Sequence, residues 1–334
     1  MQQLKTERPR VAGLIRTNWL VQIVILLILA IMPFIAGRPT LNLLVLIFCM
    51  SVYSMSYDIL LGYTGIVSFG HALFFGIGAY GVAIFITQTK ATMGNLLLAI
   101  LIALAVSVVL SFFIGFLSLR VKNTYYAMIT LAFAQVGVIL AEKARHITNG
   151  YDGMNFRIPG FLMNKILFYY VALAFLVIAF ICLWKFTNSP TGRVLVAIRE
   201  NEQRATFLGF NVLRYKIIST IVAGVTASLA GSFYAIHMRF VSTSVLTASK
   251  TIDALLATVI GGVGSLYGAI LGTSIVNLAG EYLSKLAKVN VLFERWYIIF
   301  GLLYILIVLF APKGVLGLFY KIRDRIVTKD AKTK

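Results

Sequence analysis

Apolar runs of nearly bilayer-crossing length follow one another along almost the whole chain. Six of them, at 19–36, 41–61, 68–87, 96–119, 125–140 and 166–186, precede a polar stretch at 187–216. Beyond it lie a run at 217–237, a glycine-broken pair at 252–260 and 266–283, and a run at 296–310. About 20 apolar residues span the hydrocarbon core as a helix. The pattern therefore predicts an all-α polytopic membrane protein with about ten membrane-embedded helical segments, some of them broken or re-entrant at glycines. The first run carries Pro33 near its end and is followed by no small-residue cleavage site. It reads as a retained helix and not as a signal peptide.

Composition agrees. Of 334 residues, 60% are hydrophobic and 12% charged, too few charges to clothe a soluble domain of this length but enough for one whose outer faces lipid solvates. The net charge of +19 would suggest nucleic acid in a soluble protein. Here the basic residues flank apolar runs. An arm at 1–18 carries Lys5, Arg8, Arg10 and Arg16, and the turn after the fourth run carries Arg120 and Lys122. The polar stretch, with Lys185 just before it, carries Arg193, Arg199, Arg204, Arg214 and Lys216, and a tail at 313–334 carries Lys313, Lys321, Arg323, Arg325, Lys329, Lys332 and Lys334. The positive-inside rule puts all four regions, and so both termini, in the cytoplasm. One transmembrane domain then occupies 19–312 of an inner-membrane, multi-pass protein.

Orientation constrains the broken pair. Six crossings return the chain to the cytoplasm at 187–216, so an even number must follow. The runs at 217–237 and 296–310 supply two, and the pair must supply none or two. At nine residues, 252–260 is too short to cross and reads as one arm of a re-entrant element. Irregular backbone at membrane depth is tolerated only where protein buries it or it lines a cavity. A second glycine-rich break, Gly62-Tyr63-Thr64-Gly65-Ile66-Val67-Ser68-Phe69-Gly70-His71-Ala72, resembles the later Gly261-Gly262-Val263-Gly264-Ser265-Leu266-Tyr267-Gly268-Ala269. Both run Gly, then Ser, then Gly and Ala. Glycine-broken segments in corresponding halves point to a transport site, and the same small residues also serve close helix packing.

Enzyme chemistry finds no footing. The Gly-x4-Gly-Lys-Ser/Thr phosphate loop is absent, so ATP is not bound in that way. His71, His146 and His237 are far apart, Cys49 and Cys182 sit in apolar runs, and neither set has metal-ligand spacing. No cofactor and no metal are expected. The candidates for lining the pathway are the ionisable and hydroxyl groups at or beside the breaks: Asp58, Tyr63, Thr64, Ser68, His71, Asp253 and Ser265. A charge at membrane depth is costly and marks function by default. Asp253 also reads as a residue near a helix N-terminus, and His71 as a hydrogen-bonded structural histidine.

The polar stretch carries its own signal. Ser189-Pro190 suits a helix start, Val194, Ala197, Ile198, Ala205 and Leu208 recur near helical spacing, and Gly209 suits a stop. A short amphipathic helix on the cytoplasmic side lies on lipid or docks in a partner's groove. The mixed charges of Arg199, Glu200, Glu202 and Arg204 favour the partner.

These segments resemble the branched-chain amino acid ABC permeases of the Liv type, in the M-like branch, over about 41–317. The blocks that carry the resemblance are Leu61-Gly62-Tyr63-Thr64-Gly65, Ser68-Phe69-Gly70-His71-Ala72 with Phe75-Gly76-Ile77-Gly78-Ala79-Tyr80, Thr130-Leu131-Ala132-Phe133-Ala134, Thr148-Asn149-Gly150-Tyr151-Asp152-Gly153, Ala197-Ile198-Arg199-Glu200-Asn201-Glu202, and Ile260-Gly261-Gly262-Val263-Gly264-Ser265-Leu266-Tyr267-Gly268. The resemblance implies an importer subunit that moves branched-chain amino acids. It also implies partners: a second homologous permease, two ATP-binding subunits that hydrolyse the ATP, and an extracytoplasmic substrate-binding protein. It further implies that 199–208 supplies the coupling helix, with Arg199, Glu200, Asn201, Glu202, Arg204, Ala205, Leu208 and Gly209 at the ATPase. Glu202-x-x-Ala205-x3-Gly209 is similar, though not identical, to the family's Glu-Ala-Ala-x3-Gly signature. Asp58 departs from the pattern, standing where the family commonly has Asn or another uncharged residue. Two alternatives stay open: an ABC permease for urea or another small polar solute, and a self-contained secondary transporter.

Overall fold

The computed structural model describes residues 19–119, 123–287 and a few positions beyond 300. The arm at 1–18, Arg120, Lys122, most of the run at 296–310 and most of the tail at 313–334 lie outside the described residues. Contacts divide the chain into units 1–42 and 43–334. In the first, α1 (Trp19–Ile35) is an apolar helix of 17 residues with Pro33 near its end.

α2 (Arg38–Asp58) enters the second unit at Leu43 and continues into a π turn at Ile59–Thr64. There follow α3 (His71–Gln88), α4 (Met93–Ser118), α5 (Asn123–Lys143), the single turn α6 (Arg145–Thr148), β1 (Met154–Asn155), α7 (Lys165–Asn188), α8 (Pro190–Glu200), α9 (Glu202–Phe207), α10 (Val212–Met238), β2 (Phe240–Val241), α11 (Ala248–Gly261) and α12 (Leu266–Ala287). Among the described residues, α2 with its π turn, α3, α4, α5, α7 and α10 are long and apolar enough to cross a membrane, and α11 with α12 makes a seventh candidate bent by 113°. The protein is thus an all-α polytopic membrane protein, with six such spans, or up to seven, among the described residues.

Small residues hold the helices together. α4 buries Ala99, Ala103, Ser107, Ser111 and Gly115, four apart, and turns Leu98, Leu101, Val109 and Phe112 outward. Lipid tails are as apolar as leucine, so helices associate through close backbone approach and interhelical hydrogen bonds. α3, α4 and α10 pack on one another in this way. A Cβ at Gly78 would fall on the Ser228 carbonyl, and one at Gly231 on the Phe75 carbonyl. Ser232 Oγ donates to Gly78 O at 3.1 Å.

The polar stretch departs from its expected form. The spacing predicts one helix from Ser189-Pro190 to Gly209, but Asn201 divides it. Its backbone is extended (φ −160°, ψ 103°), and its Oδ1 accepts the Arg204 N–H at 2.9 Å. Asn201 therefore ends α8 and caps α9, because a short side-chain acceptor satisfies an orphan amide at a helix start. The two outer ends are as expected. Ser189 Oγ accepts the Gly192 N–H at 3.3 Å, with Pro190 at the first helical position. At the far end Phe210 N–H donates to Ala205 O at 3.2 Å and Gly209 N–H to Thr206 O at 2.9 Å, with Gly209 left-handed at φ 87°. That pair of bonds is a Schellman stop. At the other end of α10, β1 and β2 pair antiparallel, Met154 opposite Val241.

α12 turns back along α11. A Cβ at Gly272 would fall on the Ala257 carbonyl, and Gly268 lies against Gly261 and Gly262. Both arms are tied to α2: Thr258 Oγ1 donates to Ser54 O at 3.3 Å, and Thr273 Oγ1 to Ser54 Oγ at 2.9 Å.

Candidate functional site

The two glycine-rich breaks, far apart in the chain, meet in space. The first begins as the π turn, where Thr64 Oγ1 donates to Ile59 O at 2.9 Å and Ile66 N–H to Leu60 O at 2.8 Å. Gly65 follows in the left-handed region at φ 74°. A π turn widens the helix by one residue and recurs at functional sites. The second break takes its turn through Gly262 (φ 122°) and Gly264 (φ 82°). Ser265 Oγ then accepts the Gly268 N–H at 3.3 Å and so caps α12.

Asp58 joins them. It is wholly buried, and its Oδ1 accepts the Gly264 N–H at 2.8 Å. Gly62 has to be glycine here, since a Cβ would collide with both the Asp58 carboxylate and the Gly264 backbone. The third member comes from α8. Arg199 donates through Nη1 to the Gly62 carbonyl, its aliphatic stem lies on Gly65, and its guanidinium lies beside Gly264. One side chain of the polar stretch thus touches both breaks, and its guanidinium lies against the same Gly264 backbone that Asp58 binds.

A second polar layer surrounds His71, which is wholly buried. Its Nε2 lies 2.8 Å from Ser56 Oγ, Tyr53 stacks on it at 5.3 Å, and Tyr57 meets it edge-on at 5.5 Å. Ser56 has one hydroxyl proton and gives it to Tyr53 O at 2.6 Å, so the imidazole Nε2–H is the donor to Ser56. Nδ1 and the hydroxyls of Tyr53 and Tyr57 are buried and have no hydrogen-bond partner among the described residues. The next residue anchors the start of α3, where the Ala72 N–H donates to Thr251 Oγ1 at 2.9 Å.

Of the expected pathway residues, Asp58, Thr64, Ser68 and His71 are buried around the first break. Tyr63 and Ser265 are half-buried at the junction. Asp253 stands apart, on the second turn of α11 and eight residues, about 12 Å of helix, before its end at Gly261. Its carboxylate lies 3.9 Å from Lys250 Nζ. On the polar stretch Arg199 faces inward. Glu200, Asn201, Arg204 and Leu208 are exposed, Phe207 is 90% exposed, and Ala205 is buried. Glu202 fastens α9 to α10 through Lys216 Nζ at 2.7 Å.

Two features escaped the sequence reading. One is the hydroxyl ladder of Ser54, Thr258 and Thr273 between α2, α11 and α12. Its only signal was serine recurring at helical spacing within an apolar run (Ser51, Ser54). The other is Lys250, whose signal was the pairing Lys250-x-x-Asp253 at the mouth of an apolar segment.

A profile of the family described as "Branched-chain amino acid transport system / permease component" matches residues 40–309. Among individual proteins, the chain is 26% identical to the high-affinity branched-chain amino acid transport system permease protein LivM of Escherichia coli, over 88% of this chain and 74% of that one. It is 23% identical to a probable LivM of Methanocaldococcus jannaschii, over 79% and 89%, and 26% identical to BraD of Pseudomonas aeruginosa, over 80% and 91%. No solved structure matches. The profile covers most of the chain and includes both breaks and the helix that bridges them. This inner-membrane, multi-pass protein is a transport subunit, not an enzyme, and belongs to the family of permease components of branched-chain amino acid transport systems.

Proposed function

We propose that this chain is one permease of a heterodimeric ABC importer that carries branched-chain amino acids into the cell. It works with a second, homologous permease, two ATP-binding subunits and an extracytoplasmic binding protein. In this reading both termini and the polar stretch are cytoplasmic, and α11 and α12 form a re-entrant hairpin that brings the embedded segments to about ten. The ATPases grip the exposed surface from Glu200 to Gly209, around α9, with Phe207 and Leu208 as its apolar prongs.

The observation that carries the reading is the reach of Arg199. A helix next to the ATPase-facing surface holds, through one guanidinium, the point where both broken helices meet. Movement of α8 on ATP binding is then felt at once by both breaks. The free backbone groups of a broken helix suit a zwitterionic solute, and Asp58, Tyr63, Thr64, Ser68 and Ser265 shape that stretch of the pathway.

Uptake of radiolabelled leucine in cells tests it. Removing the partner ATPase is expected to abolish uptake. Arg199→Met is expected to lower uptake on the order of tenfold, the weight of a lost charged hydrogen bond, while basal ATP hydrolysis by the assembled transporter continues. Uptake undiminished without the ATPase overturns the reading and favours a self-contained transporter.

A further inference from the structure

Lys250, like Asp253, is a charged group of the pathway region that the junction of the breaks does not use. It lies on the first turn of α11, four-fifths buried, with Nζ 5.1 Å from the Tyr234 ring centre and 6.0 Å from that of Phe75. Its nearest anionic partner, Asp253, is 3.9 Å away, beyond the 2.7–2.9 Å of a charge-assisted hydrogen bond. Among the described residues no acceptor completes the ammonium. The two side chains open on a cavity of about 200 Å³ that Tyr234, Ser244, Thr247 and Ser249 also line. No side chain caps the start of α11. The Lys250 N–H donates to Thr247 O at 3.0 Å, and the two amides before it, of Ala248 and Ser249, remain for an anion.

We propose that this cavity receives the charged head of an α-amino acid. The carboxylate meets Lys250 Nζ and the first two amides of α11, and the ammonium meets the half-exposed Asp253 carboxylate, which lines the cavity. The two charges stand side by side, as a zwitterion presents them, and the volume is below that of sites for drug-sized ligands. A cation and an anion 3.9 Å apart are poised to exchange their loose contact for a bound zwitterion. From here the length of α11 leads to the junction of the breaks. The inference rests on the reading of the chain as an amino-acid permease, but its test is separate.

The test is saturation-transfer NMR on the full chain in lipid nanodiscs, with L-leucine as probe and empty nanodiscs as background. Leucinamide lacks the carboxylate and 4-methylpentanoate lacks the ammonium; both are expected to bind the wild-type chain at least about tenfold more weakly than leucine, as the loss of a charge-assisted contact requires. Lys250→Met and Asp253→Asn are each expected to weaken leucine by a similar factor, and Lys250→Arg to keep most of it. The inference is overturned if leucine gives no signal above empty nanodiscs, if both one-ended analogues bind as leucine does, or if Lys250→Met and Asp253→Asn both leave binding unchanged. Should Lys250→Met fail to fold, the analogue series on the wild-type chain and Asp253→Asn still decide. ATP-dependence of uptake does not enter this measurement, so the importer reading and the cavity can fail independently.

Discussion

Asp58 sits where a charge costs most, yet what its position uses is an acceptor. Oδ1 takes the Gly264 N–H at 2.8 Å, and an amide oxygen in the same place would do so equally. Asp58→Asn is therefore expected to keep the thermal midpoint of the purified protein and to leave ATP-driven uptake within about threefold of wild type. Asp58→Leu leaves a buried N–H without a partner, which costs roughly 1–3 kcal/mol, and is expected to lower both. If Asn proves as damaging as Leu, the negative charge beside Arg199 is what matters. The expectation accords with the resemblance, which implies Asn or another uncharged residue at this position. The glycines of the junction were legible in the sequence because their clustering stood out against apolar runs. Their partners were not. Asp58 and Gly264 are 206 residues apart, and no local pattern states which of two broken helices a buried carboxylate will address.

At the scale of the element, the polar stretch shows where periodicity stops informing. Val194, Ala197 and Ile198 mark one apolar stripe and Ala205 continues it, so the spacing suggests a single helix. The division at Asn201 hides in that spacing because asparagine is acceptable on a polar helix face and also one of the best N-caps. The consequence is functional geometry: α8 directs Arg199 inward while α9, set at its own angle, leaves Phe207 almost fully exposed. Asn201→Ala is expected to remove about 1 kcal/mol from the start of α9 and to reduce ATP-driven uptake, while Asn201→Asp, which caps equally well, is expected to preserve it. Uptake measured in parallel with membrane protein level separates lost coupling from lost protein. Equal uptake by the alanine and aspartate variants would show that the division into two helices does not depend on this cap. The bend between α11 and α12 was easier to foresee, since the glycines at 261, 262 and 264 interrupt the apolar run and Gly262 and Gly264 take the positive φ that the turn needs.

For the whole molecule, the charge pattern makes a claim that helix packing alone does not. α10 separates two ends: one carries α8 and α9, the other carries the β1–β2 pair and the turn at Gly150–Asp152. In the proposed orientation the first end, with Lys185, Arg193, Arg199, Arg204, Arg214 and Lys216, faces the cytoplasm. Tyr151 is 67% exposed and Phe207 is 90% exposed, so each offers a reporter position on one end outside the packed core, Tyr151 giving up only an exposed hydrogen bond to Glu142. In a background in which Cys49 and Cys182, both free thiols, are replaced by serine or alanine, Tyr151→Cys is expected to react with a membrane-impermeant maleimide in intact spheroplasts. Phe207→Cys is expected to react only in inside-out vesicles, and to be protected there when the ATPase subunits are bound. The reverse pattern of labelling would invert the orientation, place α8 and α9 outside, and remove the physical basis on which Arg199 transmits ATPase movement to the breaks. Labelling of both positions from one side would require an odd number of crossings between residues 151 and 207 to be wrong, and with it the assignment of α7 as a span.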